Sequence, residues 1–144
     1  MTHISDIMTK DVETCSLGDT IYEVAMRMKE LDVGVIPIVE NKKLMGIITD
    51  RDIVLRCIAD RQPPSSKVED IMSENLFTVS PDTTTQEAAR LMAKEQIRRL
   101  PVVENGELVG IVALGDLAVR DLTDNQAKQA LSEISEDDGE QAVH

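Results

Sequence analysis

Residues 4–56, ISDIMTKDVETCSLGDTIYEVAMRMKELDVGVIPIVENKKLMGIITDRDIVLR, align without a gap on residues 68–120, VEDIMSENLFTVSPDTTTQEAARLMAKEQIRRLPVVENGELVGIVALGDLAVR. About a third of the pairs are identical, among them Asp6 with Asp70, Met8 with Met72, Pro37 with Pro101, Asn41 with Asn105, Gly46 with Gly110 and Asp52 with Asp116. Each copy therefore predicts the structure of the other. A DIM turn leads into a brief extended piece, Val12 to Cys15 in the first copy, and SLGD or SPDT then makes a turn. Thr20-x-x-Glu23 and Thr84-x-x-Glu87 are capping boxes that open amphipathic helices. Val24, Met28 and Leu31, or Ala88, Leu91 and Met92, fall at helical spacing behind them. The apolar runs VIPIV and LPVV, separated by ENKK or ENGE from LMGIIT and LVGIVA, read as antiparallel hairpins. A second helix follows from Asp50 or Leu114, with Ile53, Val54 and Cys57 expected on its inner face in the first copy.

Each copy is thus β-α-β-β-α, and about 55 residues are too few to bury both faces of such a unit well. The expected fold is α/β: two pseudo-symmetric repeats packed sheet to sheet. Repeat 1 spans residues 4–60, a linker 61–67, repeat 2 68–122, and a last helix from Asn125 to Ile134 with an acidic tail fills 123–144. Pro63 and Pro64 stop the preceding helix. The DIM turns read as bridges between the repeats, with their methionines as core fillers.

Composition narrows the function. Among 144 residues, 42% are apolar, yet Phe77 and Tyr22 are the only aromatics, so the core is aliphatic and lacks the stacking platforms of single-strand readers. A net charge of −12 repels phosphate backbones and anionic lipid, which argues against nucleic acid and membrane surfaces as direct partners. Cys15 and Cys57 read as buried free thiols rather than a disulfide framework. The start, MTHISDIM, lacks the pattern of a signal peptide, and no apolar run approaches membrane-spanning length; a cytoplasmic protein is expected. No Ser/His/Asp set, metal-ligand cluster or phosphate-cradling glycine loop appears, and His3 and His144 are terminal, so no enzyme is expected.

One motif stays open on local evidence. In GIITDRDIV, residues 46–54, Thr49-x-x-Asp52 is the pattern of a capping box, but a hydroxyl and a carboxylate at a helix start also suit phosphate and ribose.

The duplicated order of DIM, then GVIPIV or RRLPVV, then GIITDRDIV or GIVALGDLA resembles the cystathionine-β-synthase (CBS) domain, here as the tandem pair called a Bateman module. The resemblance covers residues 4–122 and is similar to small stand-alone bacterial pairs. It implies an adenosine-containing ligand held in a cleft between the repeats: AMP, ADP or ATP first, with NAD or S-adenosylmethionine ranked after them. It further implies that Thr49 reaches phosphate and Asp52 the ribose hydroxyls, with Val35, Ile36 and Pro37 beside adenosine and Cys15 on an early strand lining the adenine pocket. The resemblance also implies that Arg98 or Arg99 meets phosphate, and strand alternation turns only one of these two neighbours inward. Copy 2 departs from the pattern: Ala113 stands where copy 1 has Thr49, although Asp116 is kept. The implied function is a ligand sensor, no cofactor being required, that forms a homodimer and modulates an unidentified regulated protein. A structural dimerising module without a ligand is the alternative.

Overall fold

The computed structural model describes residues 2–74, 76–120 and 131–134. Of the last helix expected from Asn125, only residues 131–134 are described, and they are helical; the acidic tail lies outside the described residues. In copy 1, α1 (Ile21–Leu31) precedes the strands β1 (Val35–Glu40) and β2 (Lys43–Thr49), and α2 (Asp50–Asp52) runs on as a π-helix, Ile53–Ile58. In copy 2, α3 (Thr85–Glu95), β3 (Arg99–Glu104), β4 (Glu107–Ala113) and α4 (Leu114–Arg120) repeat the order.

The capping boxes form as expected. The hydroxyl oxygens of Thr20 and Thr84 accept from the N–H groups of Glu23 and Glu87, each at 3.1 Å. Both helices then end on a residue in the left-handed region, Asp32 (φ 55°) or Gln96 (φ 58°), which turns the chain into the strand. The hairpin tips carry Asn41 (φ 51°) with Lys42 (φ 70°), and Asn105 (φ 54°) with Gly106 (φ 81°). Two successive positive φ values make the tight turn whose twist matches antiparallel strands.

The chain forms two compact bodies that cut across the repeats. The copy-1 body is Glu13–Leu76 with Gly106–Leu108; the copy-2 body is Met1–Val12, Phe77–Asn105 and the described part of Val109–His144. Each DIM turn is a short 3-10 helix, Ile4–Asp6 or Val68–Asp70, and the first of them docks on the body of the other copy. Thr9 and Ile111 exchange backbone hydrogen bonds of 2.8 and 3.0 Å, and Ile4 donates to the Thr83 carbonyl at 2.8 Å. In the copy-1 body, Ser73 and Ile47 exchange bonds of 2.9 and 3.1 Å.

These lead segments also satisfy helix starts. The first-turn N–H groups of a helix have no partner within it. Ile21 and Tyr22 donate to the carbonyls of Ser66 and Pro64, each at 2.9 Å, and Thr85 donates to the Thr2 carbonyl at 3.0 Å. The Pro63-Pro64 stretch is thus tied to α1.

The core of the copy-1 body joins Ile21, Val24 and Met28 of α1 to Ile36, Ile38 and Ile48 of the hairpin, with Cys57, Val68 and Ile71. The copy-2 body gathers Ile4, Ala88, Met92, Leu100, Val102 and Val112, with Leu114, Leu117 and Ile134. One expected core residue is corrected: Val54 is 56% exposed, whereas Cys57 is fully buried and Ile53 packs against the core. The cause is the π-helix, whose bonds span five residues, as from Ala59 N–H to the Val54 carbonyl (2.9 Å). The wider turn keeps Ile53 and Cys57 inward and rotates Val54 and Ile58 outward. Leu31, expected on the inner face of α1, is 37% exposed at the last turn.

Candidate functional site

The copy-1 hairpin decides which side chains can share a site. β1 and β2 are antiparallel, with Val35 opposite Thr49, Ile36 opposite Ile48 and Pro37 opposite Ile47. Directly opposed residues share a face and successive residues alternate. Ile36, Ile38 and Ile48 therefore point into the core, and Val35, Pro37, Ile47 and Thr49 line the other face. Of the residues assigned to adenosine, Val35, Pro37 and Thr49 come together, and Ile36 is committed to the core at 1% exposure. Ile47 joins the same face and was not singled out; strict alternation from Thr49 was the signal that could have found it.

Thr49 ends β2 and caps α2. Its hydroxyl oxygen accepts from the Asp52 N–H at 3.0 Å, and Asp52 Oδ2 accepts from the Thr49 N–H at 3.0 Å. The start of α2 is held further by the Asp50 N–H, which donates to the Gly34 carbonyl at 2.9 Å. At α1 and α3 the capping threonine also donates its own O–H to the glutamate, at 3.0 Å from Thr20 and 2.9 Å from Thr84. Among the described residues Thr49 makes no such bond to Asp52, so the shorter aspartate closes the box while the Thr49 proton and Asp52 Oδ1 stay out of it.

Cys15 sits elsewhere. Its backbone pairs alongside β1, donating to the Pro37 carbonyl (3.1 Å) and accepting from Val39 (2.8 Å). Its side chain, however, is 7% exposed in the core and lines a cavity of about 300 Å³ with Asp19, Glu23, Met26, Arg27 and Glu30 of the α1 side. Burial, and then the Asp19 carboxylate, push its thiol pKa above the ordinary value.

The remaining assigned residues belong to the copy-2 body. Arg99 is exposed at the start of β3, and the Arg98 carbonyl accepts from the Leu114 N–H at 2.8 Å, repeating the Gly34–Asp50 bond. Asp116 is half-buried and, facing Ala113 rather than a threonine, closes no capping box among the described residues.

A family model described as the CBS domain matches residues 4–58 and 68–122. This chain belongs to the CBS-domain family, as a tandem pair. It is 47% identical over 140 residues to the uncharacterized protein YlbB of Bacillus subtilis, covering 96% of this chain and 95% of that one. Its fold is similar to that of Hypoxic Response Protein I with two coordinated zinc ions: TM-score 0.77, 33% identity, 83% of this chain and 99% of the other. It also matches the CBS domain pair of protein MJ0100 in complex with 5′-methylthioadenosine and S-adenosyl-L-methionine, with TM-score 0.74, 31% identity, 83% of this chain and 95% of that one. Among the described residues, no group of three or more His, Cys, Asp or Glu side chains is placed to hold a metal ion, and no helix is long and apolar enough to cross a membrane.

Proposed function

We propose that this CBS pair is a non-enzymatic sensor: it binds an adenosine-containing ligand through the Thr49–Asp52 end of β2, and the bound state modulates a regulated protein. AMP, ADP and ATP are the first candidates. The observation that carries the reading is a capping box closed through Asp52 Oδ2 alone, with the Thr49 hydroxyl proton and Asp52 Oδ1 left outside it. Asp52 keeps one carboxylate oxygen able to accept from a ribose hydroxyl, and Thr49 keeps a proton to donate to phosphate. Val35, Pro37 and Ile47 supply an apolar face beside them. The adenosyl ligands of the MJ0100 pair support the ligand class and bring 5′-methylthioadenosine and S-adenosylmethionine into the test set. Arg98 and Arg99 are assigned to phosphate by resemblance and are tested by their own alanine variants. We also propose that the chain acts as a homodimer.

Thermal unfolding of the purified chain with each ligand, beside Asp52→Asn, tests this reading. A ligand at a hundred times its dissociation constant adds about 2.7 kcal/mol of stability. A shift with an adenosyl ligand that is lost in Asp52→Asn supports the grip, and no shift with any ligand sinks it. ATP recovered intact after incubation supports the absence of an enzymatic step. The second reading, a dimerising module without a ligand, draws on Ala113, where the hydroxyl is missing from copy 2.

A further inference from the structure

The segment that leads into copy 2 closes a pocket of about 380 Å³ against the π-helix, lined by Arg56, Met72, Ser73 and Glu74. That volume falls within the ~300–1,000 Å³ of small-molecule sites. Its walls are held from behind. Ser73 is fixed by its two backbone bonds to Ile47, and Met72 is buried with its sulfur against Gly46. Arg56 Nη1 donates to the Ile71 carbonyl at 3.1 Å, which ties the guanidinium to the same segment.

The charges say what the pocket can take. Arg56 and Glu74 carry opposite signs on its walls, yet among the described residues no ion pair joins them. A guanidinium has several N–H donors to spare once one is spent on a carbonyl. A ligand that brings a carboxylate to Arg56 and an ammonium to Glu74 answers both charges at once, and the Ser73 hydroxyl can bond to either group. Those two groups on one carbon are an α-amino acid. A phosphate would meet Arg56 but be repelled by Glu74, and a simple amine would meet the reverse.

The repeat supplies an internal comparison. Where the copy-1 body has Arg56, Met72, Ser73 and Glu74, the matching residues of the sequence are Arg120, Met8, Thr9 and Lys10. Lys10 puts a second cation in place of the carboxylate, so the opposition of signs belongs to the copy-1 body alone.

The pocket adjoins the Thr49–Asp52 end of β2. Ser73 sits opposite Ile47, which shares a face with Thr49, and Arg56 follows Asp52 by four residues, close to one helical turn.

We propose that this pocket binds an α-amino-acid group, with its carboxylate on Arg56 and its ammonium on Glu74. The group comes either from a free amino acid or from the amino-acid end of S-adenosylmethionine whose adenosine occupies Thr49 and Asp52. The second source rests on the adenosine reading above, and the first is independent of it.

Isothermal titration calorimetry of the full chain tests the pocket on wild type, Arg56→Gln, Glu74→Gln and Asp52→Asn. The probes are each standard L-amino acid, S-adenosylmethionine, inorganic phosphate and 5′-methylthioadenosine, which lacks the amino-acid end. A free source predicts an amino acid whose affinity falls at least about tenfold in Arg56→Gln and in Glu74→Gln but holds in Asp52→Asn. An adenosyl source predicts S-adenosylmethionine at least about tenfold tighter than 5′-methylthioadenosine, an advantage that both pocket variants erase. Should circular dichroism show a variant misfolded, ligands without the carboxylate decide on the wild type. The methyl ester of the amino acid, or decarboxylated S-adenosylmethionine, must then bind at least about tenfold less well.

Amino-acid binding indifferent to both variants overturns the proposal. The two adenosyl compounds bound alike, with no amino acid bound, overturn the pocket and leave the adenosine grip standing. No binding of either compound or of any amino acid overturns the pocket, and the thermal series with AMP, ADP and ATP then decides the grip separately. Phosphate held through Arg56, with no amino acid bound, replaces the proposal with an anion site.

Discussion

The Met72 sulfur lies 2.9 Å from the point where a Cβ on Gly46 would stand, and the Ser73 carbonyl lies 2.7 Å from it. The copy-2 body repeats the arrangement with Met8 and Thr9 over Gly110, at 2.7 and 2.9 Å. Glycine is required at both places because a DIM segment crosses the strand in close contact. Gly46→Ala is expected to push away a backbone carbonyl and disturb the two bonds between Ser73 and Ile47, lowering stability by about 1–3 kcal/mol. A urea midpoint measures this, with Gly18→Ala, which meets nothing within 4 Å, as the reference.

The exchange of lead segments makes an unusual forecast for Ile4. It belongs to copy 1 by sequence but is fully buried in the copy-2 core. Ile4→Ala is expected to cost about 2–5 kcal/mol. Amide exchange should accelerate first in α3 and β3, leaving α1 and β1 protected. Faster exchange confined to α1 and β1 would contradict the exchange.

Capping energy can be moved between the copies. Thr49→Ala is expected to destabilise by about 0.5–2 kcal/mol through the lost cap. Ala113→Thr, placing a hydroxyl three residues before Asp116, is expected to stabilise by up to about 1 kcal/mol. Thermal denaturation of both single variants checks the pair, and a destabilised Ala113→Thr would mean that Asp116 is not placed to close the box.

Glu87 gives a pH dependence of known sign. The Thr84 hydroxyl (2.9 Å) and the Thr84 N–H (3.3 Å) both donate to its carboxylate and hold its pKa below the ordinary carboxylate value. A group with a lower pKa folded than unfolded stabilises fully above the unfolded value and ceases to do so as pH falls through the folded one. Glu87→Gln should therefore be less stable than the wild type at neutral pH, and the gap should close in acid. Unfolding midpoints measured from pH 7 down to about 3 would show it; a gap that is constant with pH would refute it.

The parts of this fold that were legible in the sequence are those set by neighbours along the chain. Thr20 with Glu23 and Thr84 with Glu87 announced two helices, and Asn41 and Asn105 announced two hairpins, because caps and turns are chosen within four residues. The exposure of Val54 was not legible: helical spacing assumes a period near 3.6, and nothing local marks the five-residue bonds that follow Asp52. The docking of Ile4 and Ser73 was hidden for a different reason. Pairing between distant segments has no period, and Gly46 and Gly110 entered only as a matched pair of the repeat, whose crowding the structure supplies. At the site, alternation would have placed Ile36 in the core. The burial of Cys15 was legible from its apolar neighbourhood, but the side of β1 it takes was not, since a single bridge to Ile38 has too little strand around it to set a phase.

A chain with a single repeat would hold a lead segment that fits the other copy and a body waiting for one. It could complete itself only by trading segments with a second molecule. Joining two copies through residues 61–67 turns that encounter into an intramolecular one, at an effective concentration in the millimolar range for a short tether. The covalent duplication thus frees folding from dependence on protein concentration, and cutting the chain in the linker should restore that dependence.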